Sequence, residues 1–213
     1  MKQDPTIAIV DYGVGNLYNA ERGFAQYTPN AITTQSADDI RNADAIVLPG
    51  VGSFESGMRG LRERNLIEPI TKAAASGKPF FCICLGAQLI LDEGHEFGAH
   101  KGLGLVKGTV TRFPDLGRGI KIPHIGWNQI YPASRNQWDN TIMGTIPEQS
   151  NMYFVHSYNL NPADKGDVLC LTTYGWYEFC SAVKHKNIYA TQFHPERSGP
   201  AGLRIIEQFV RSI

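Results

Sequence analysis

The sequence lacks several features, and each absence narrows the function. Its charges balance, with 20 Lys and Arg against 20 Asp and Glu, and no long run of one sign occurs. Nucleic-acid and membrane-surface proteins need a basic face, so the charge pattern argues against both roles. No apolar run approaches the roughly 20 residues of a membrane span. The apolar stretch at residues 6–10 is too short for a signal peptide, and we expect a cytoplasmic protein.

Cysteine is scarce, with only Cys82, Cys84, Cys170 and Cys180 in the chain. In a reducing compartment these thiols stay free, so no disulfide framework is expected. Cys82 and Cys84 could form half of a metal site, but no second Cys pair or His cluster has the matching spacing. The sequence therefore predicts neither a metal nor another cofactor.

The order of the secondary-structure signals predicts an α/β fold. No repeat or low-complexity linker is present, and the first half alternates short apolar runs with helical patterns, the runs being residues 6–10, 31–34, 45–50 and 79–84. Ser36 is a candidate N-cap for one of these helices. The second half is rich in strand-like segments and ends in a helix. We predict one domain over residues 1–213, with a mixed, mostly parallel central sheet, flanking helices and an antiparallel extension of that sheet.

The segment Cys82-Ile83-Cys84-Leu85-Gly86 leads from a predicted strand into a predicted helix. A nucleophile on such a sharp turn needs small residues around it, as in the pattern G-x-S-x-G. Only Cys84 has a glycine two places after it, so Cys84 fits the elbow and Cys82 belongs to the strand. The helix, expected from Ala87 onward, points its positive end at the thiol and favours the thiolate.

A cysteine nucleophile needs a base and a group that orients that base. His194 and Glu196 stand at the end of a late predicted strand, with Pro195 between them. Two positions apart on an extended chain, they lean the same way, and the carboxylate can hold the imidazole tautomer. The other histidines considered, at positions 95, 100, 124 and 185, are expected on the surface or behind the site.

These motifs resemble the class I, or triad, glutamine amidotransferases, whose pattern is G-x-C-x-G-x-Q with a late H-x-E. Within that family the chain is similar to the glutaminase subunits of imidazole glycerol phosphate synthase, over essentially its whole length. The segments that carry this similarity are DYGVGNL (11–17), LPGVGSF (48–54), GLGLVKG (102–108), PHIGWN (123–128) and YFVHSY (153–158).

The resemblance implies a role for each matching residue. It makes Cys84 the nucleophile, His194 the general base and acid, and Glu196 the residue that orients His194. The remaining matches are oxyanion-binding groups at Val51, Gly52 and Leu85, substrate contacts at Gly50, Gln88, Glu96, Ser157 and Tyr158, and partner contacts at Asn16, Trp127 and Arg197. A tryptophan on a strand is also a common core residue, and that alternative for Trp127 stays open.

The same resemblance implies the reaction and the partner. Glutamine would be hydrolysed to glutamate and ammonia, and the ammonia would pass to a (βα)8-barrel synthase subunit in a heterodimer. That subunit would make imidazole glycerol phosphate and AICAR ribonucleotide in histidine biosynthesis. Two alternatives remain: a paralogous glutaminase that serves another synthase, for instance in sugar amidation, and a catalytically silent binding subunit. Cys82 replaces the family's usual glycine, and we expect only a small local adjustment there.

Overall fold

The computed structural model describes residues 4–15 and 17–213, and it places strands and helices in both halves of the chain. The strands are β1 Ile7–Val10, β2 Ala31–Thr34, β3 Ala45–Gly50, β4 Phe80–Cys84, β5 Glu93–Gly94, β6 His100–Lys101, β7 Gly108–Arg112, β8 His124–Gln129, β9 Tyr131–Pro132, β10 Asn151–His156, β11 Tyr158–Pro162, β12 Val168–Tyr174, β13 Tyr177–His185 and β14 Ile188–Thr191. The α-helices are α1 Leu17–Phe24, α2 Ala37–Asn42, α3 Phe54–Glu63, α4 Ile67–Ala75, α5 Leu85–Leu89 and α6 Gly199–Arg211.

One mixed sheet runs through both halves of the chain. Its parallel part has the order β2-β1-β3-β4-β14, so the last strand of the sequence lies beside β4. From β14 the sheet continues through antiparallel pairs to β13, β11 and β7. The predicted α/β class, the flanking helices and the antiparallel extension are confirmed.

One part of the predicted extension is wrong. β8 and β10 pair only with each other, as a separate antiparallel ribbon, among the strands of the described chain. β8 lies near β12 without pairing with it, and the Asn128 side chain donates a hydrogen bond to the Thr173 carbonyl of β12. The ribbon therefore contacts the large sheet at β12 and is not a continuation of it.

Both faces of the inner parallel strands β1, β3 and β4 are buried, as expected for a sheet with helices on each side. Alternate residues of one strand enter different cores: Ala8 and Val10 pack into one, and Ile7 and Ile9 into the other. Ser36 caps α2, because its side chain accepts a hydrogen bond from the Asp39 amide, as predicted. In the described part of the chain, no helix is long and apolar enough to span a membrane.

Candidate active site

The turn after β4 holds Cys84 in a strained backbone conformation. Its φ of 54° and ψ of −108° lie outside the regions that residues with a Cβ normally adopt, at a cost of about 1–3 kcal/mol. α5 begins at the next residue, Leu85, two positions earlier than expected. A Cβ on Gly86 would lie 1.8 Å from the Leu48 carbonyl oxygen, so only glycine allows α5 to pack against β3. The predicted strand–helix elbow is present at Cys84.

Cys82 lies within β4 and has a different environment from Cys84. Its side chain is fully buried in the core that also contains Leu48 and Ala190, its neighbours on the flanking strands. Burial raises the pKa of the Cys82 thiol well above its ordinary value, so this thiol stays neutral. Cys82 does not have a left-handed backbone, so a residue with a Cβ fits at this position.

His194 and Glu196 form a buried pair at the end of β14. The Nδ1 atom of His194 lies 2.9 Å from Oε1 of Glu196, and both side chains are 5% exposed. We expected an extended chain here, but Pro195–Arg197 form one turn of 3-10 helix. The turn stays in place because the Ser198 hydroxyl donates to the His194 carbonyl and accepts from the Tyr153 amide.

Two opposing effects set the pKa of His194. Burial, the largest effect, disfavours the imidazolium, but the negative charge of Cys84 and the Glu196 carboxylate together outweigh it and raise the pKa to about 10. Among the described residues, the buried Nε2 of His194 has no hydrogen-bond partner. Nδ1 is thus engaged with Glu196, while Nε2 is available to a reacting group.

Cys84 lines a cavity of about 300 Å³, a size that suits a small ligand. The predicted site residues that line it are Val51, Gly52, Cys84, Leu85, Gln88, Glu96, Ser157 and Tyr158. Pro123, Val155 and His156 complete the wall. The structure therefore brings together most of the residues that the sequence assigned to substrate and oxyanion binding.

The groups predicted to bind the oxyanion flank Cys84 from two segments, the chain after β3 and the start of α5. Gly50 is the register partner of Cys84 across β3 and β4, and Val51 and Gly52 follow directly. Leu85 is the first residue of α5, where a backbone N–H has no partner within the helix. A Cβ on Gly50 would meet the Tyr12 hydroxyl at 1.9 Å, so this segment can lie against Tyr12 only with glycine there.

Two buried glutamines connect the cavity wall with the nucleophile. Nε2 of Gln88 donates to the Tyr158 carbonyl at 3.2 Å and to Oε1 of Gln192 at 3.1 Å. Nε2 of Gln192 in turn lies 3.8 Å from the Cys84 sulfur. Glu96 is held differently, because its Oε2 accepts a hydrogen bond from the Phe54 amide at the start of α3.

A second chain of hydrogen bonds ends at the same Tyr158 carbonyl. His156 donates to it from Nδ1, and Nε2 of His156 accepts from Nδ1 of His124 at 3.1 Å. Nε2 of His124 then accepts from the Asn128 amide. Burial lowers the pKa of His124 to about 4 and that of His156 to about 3, so both rings are neutral at pH 7.

The predicted partner contacts lie on the outer face of the β8–β10 ribbon or close to it. Trp127 is 54% exposed, which excludes the alternative of a core tryptophan. It packs edge-on against Tyr153, and the Arg197 guanidinium lies 4.2 Å from the centre of the Tyr153 ring. Ile125, on the same face, is 60% exposed. Asn16 lies outside the described residues.

Sequence reasoning missed Gln192 and His156 as parts of the site, and it left open whether His124 lies on the surface or behind the site, where the structure places it. The available signal was the alternation of side chains along a strand, which places Gln192 on the same side as His194, two residues later. For His124 and His156 the sequence offers no such signal, because their strands form the separate ribbon. Residues 4–15 and 17–213 contain no group of three or more His, Cys, Asp or Glu that could hold a metal ion.

This chain is similar to known proteins over nearly its whole length. The model of the family "Glutamine amidotransferase class-I" matches residues 8–213. The Legionella pneumophila protein "Imidazole glycerol phosphate synthase subunit HisH 1" is 45% identical over 97% of this chain and 99% of the relative. The HisH subunit of Geobacter metallireducens is 40% identical over 97% and 98%. The structure of PurLQS from Thermotoga maritima, at 20% identity, has a TM-score of 0.73 over 99% of both chains and shares the fold.

Proposed function

The chain belongs to the class I glutamine amidotransferases and, within them, to the HisH subunits, and from this premise we propose that it hydrolyses glutamine through Cys84, His194 and Glu196. One observation carries the proposal. A strained elbow holds Cys84 in the wall of a cavity of about 300 Å³, and the buried His194–Glu196 pair stands at the end of the adjacent strand. The proposed reaction uses only side chains and backbone groups of this chain.

In the first half-reaction, the Cys84 thiolate attacks the side-chain amide carbon of glutamine. The carbonyl oxygen gains negative charge, which the N–H of Leu85 and an N–H of the Val51–Gly52 segment stabilise. His194 carries the proton, because its pKa is raised, and gives it from Nε2 to the leaving nitrogen. The C–N bond breaks, ammonia leaves and a glutamyl thioester remains on Cys84.

In the second half-reaction, the now neutral His194 removes a proton from water. The hydroxide attacks the thioester, the same oxyanion contacts stabilise the second tetrahedral intermediate, and the C–S bond breaks. The new carboxyl group releases its proton to solvent, and glutamate leaves with the thiolate and imidazolium restored. Throughout, Glu196 keeps Nδ1 of His194 protonated and so fixes the tautomer whose Nε2 faces the reaction.

We further propose that the ammonia passes to a barrel-type synthase subunit, which binds over the outer face of the β8–β10 ribbon. The relatives are named as subunits of imidazole glycerol phosphate synthase, which supports such a partner. The exposed Ile125 and Trp127 offer apolar anchors of the kind that dominate interfaces. Val155, the cross-strand partner of Ile125, lines the cavity, and its carbonyl lies 4.0 Å from the Cys84 sulfur. The proposed interface is therefore one strand away from the site of ammonia release.

The two cysteines provide a matched test. Cys84→Ala should lower glutamine turnover on the order of 10⁴- to 10⁶-fold, as loss of a triad nucleophile does. Cys82→Ala removes an equal side chain two residues away, outside the cavity, and should retain most activity. Both are measured as glutamate release with the synthase subunit and its nucleotide substrate present. Substantial turnover in the Cys84 variant would contradict the assignment.

A second measurement addresses the partner. Since free glutaminase activity wastes glutamine, we expect the subunit alone to be nearly silent and the complex with bound nucleotide substrate to be fast. Trp127→Ala should weaken association with the synthase subunit. Equal turnover with and without the partner would contradict the proposed coupling.

A further inference from the structure

Gln192 is buried beside the nucleophile, and the proposed reaction gives it no role. It follows β14, two residues before His194, and its side chain is fully inaccessible to solvent. A long polar side chain in such a place needs hydrogen bonds, and its contacts are Gln88 on one side and the Cys84 sulfur on the other.

The orientation of the Gln192 amide follows from a backbone carbonyl. The carbonyl oxygen of Tyr158 can only accept, so the Gln88 atom 3.2 Å away must be the NH₂ group. That same NH₂ group faces Gln192 at 3.1 Å, which requires the Gln192 oxygen there. The NH₂ group of Gln192 is thereby directed at the sulfur, 3.8 Å away.

We propose that Gln192 is a further catalytic residue, whose amide donates a hydrogen bond to the Cys84 thiolate and links it to the substrate-binding Gln88. The proposal rests on the proposed function in taking Cys84 as the nucleophile. A thiolate accepts a directed N–H more strongly than a neutral thiol does, so the bond favours the reactive form. Cys84 also interacts electrostatically with two other titratable groups, His194 and Tyr12, and substitutions at Gln192 alter neither of them.

The second consequence concerns geometry. Because Gln88 uses one NH₂ group for both Tyr158 and Gln192, its own oxygen remains available to a ligand in the cavity it lines. Loss of Gln192 therefore frees Gln88 to rotate. Variants at position 192 should affect substrate binding as well as the thiolate, and so raise KM and lower kcat together.

The test is the pH dependence of Cys84 alkylation by iodoacetamide in the free subunit, with the modified peptide identified by mass spectrometry. Gln192→Met keeps the length and removes the donor, and the midpoint should move up by about 1–2 pH units, as expected for a lost hydrogen bond to a charged group. Gln192→Glu still accepts from Gln88 but turns an oxygen toward the sulfur, and its midpoint should move further in the same direction.

Thr191→Val is the matched control. Thr191 is the adjacent residue, is also fully buried, and its hydroxyl donates to the Phe193 carbonyl at 3.0 Å. The variant loses one buried hydrogen bond, so thermal stability should fall while the alkylation midpoint stays unchanged. An equal midpoint shift in this control would mean that loosened packing, and not the amide donor, controls the sulfur.

The outcomes separate the two proposals. Wild-type midpoints in both Gln192→Met and Gln192→Glu would overturn the role of Gln192, as would shifted midpoints with unchanged kcat and KM. If Gln192→Met does not fold, Gln192→Asn replaces it, because the shorter side chain withdraws the amide from the sulfur. The alkylation readout needs neither glutamine nor the partner. Normal shifts in an enzyme that never hydrolyses glutamine would refute the proposed function and leave the thiolate contact standing.

Discussion

Glu196→Gln should lower the pKa of His194 and so move the alkaline limit of the reaction to lower pH. The substitution keeps the shape of the side chain and can still accept from Nδ1, but it removes the negative charge 2.9 Å away. Burial continues to disfavour the imidazolium, and only the charge of Cys84 then opposes it. The protonated His194 that expels ammonia would become scarcer at high pH.

The size of this effect follows from the buried pair. An opposite charge at short range usually shifts a pKa by 1–3 units, which is about 1.4–4 kcal/mol. Starting from about 10 in the native protein, the pKa of His194 in the variant should lie between about 7 and 9.

The free energy of unfolding also depends on this pKa. A folded pKa above the unfolded value of 6.5 stabilises the protein fully below pH 6.5, and this contribution is lost as pH rises toward about 10. Glu196→Gln should therefore lose less stability than the native protein as the pH rises.

The direct assay is an NMR titration of the His194 imidazole, with the pH profile of kcat/KM in the complex as the functional measure. Asp167→Asn is the control, because Asp167 lies 2.9 Å from Nδ1 of His185, a similar pair outside the site. It should leave the titration of His194 unmoved. A His194 titration that is unchanged or moved upward in Glu196→Gln would refute the reasoning, since the carboxylate would then not stabilise the imidazolium.

Two further predictions concern stability. Tyr12→Phe should raise the free energy of unfolding by about 1–3 kcal/mol, because the buried hydroxyl has no hydrogen-bond partner among the described residues. Tyr131→Phe, which loses a hydroxyl bonded to two neighbours, should lower the free energy of unfolding by about 0.5–1.5 kcal/mol. Urea denaturation measures both changes, and changes of the same sign in the two variants would contradict the argument. The buried neutral His124 and His156, with pKa values lowered from 6.5 to about 4 and about 3, bind fewer protons than in the unfolded chain. Stability should therefore fall as pH drops from 6.5 toward 3, and His156→Asn should flatten this slope by up to about 1.4 kcal/mol per pH unit; an unchanged slope would show that the pair is not responsible.

Local signals predicted the parts of the molecule that depend on a few neighbouring residues. The elbow at Cys84 follows from Gly86, whose missing Cβ lets the chain pass the Leu48 carbonyl. The cap at Ser36 follows from the preference of hydroxyl side chains for a helix start. In both cases one residue fixes the geometry of the next turn, so a sequence pattern is sufficient.

Long-range contacts were beyond the sequence pattern. β8 and β10 both alternate buried residues with more exposed ones, and nothing in that alternation says which strand each of them pairs with. The separate ribbon arises from the pairing of β8 with β10, and the Asn128 side chain connects it to the Thr173 carbonyl of β12. Gln192 could have been placed on the correct side, but its contacts with Gln88 and Cys84 arise only from the folded arrangement.

The order of the strands explains why residues so far apart in the sequence form one site. β4 lies between β3 and β14, parallel to both, so the carboxyl ends of these three strands meet at one edge of the sheet. Gly50 is the register partner of Cys84, and Thr191 is that of Ile83. Neighbouring strands are separated by about 4.8 Å. The oxyanion segment, the nucleophile and the chain leading to the base thus stand side by side, and any change in strand order would separate them. The late position of β14 in the sequence consequently matters less for function than its insertion beside β4.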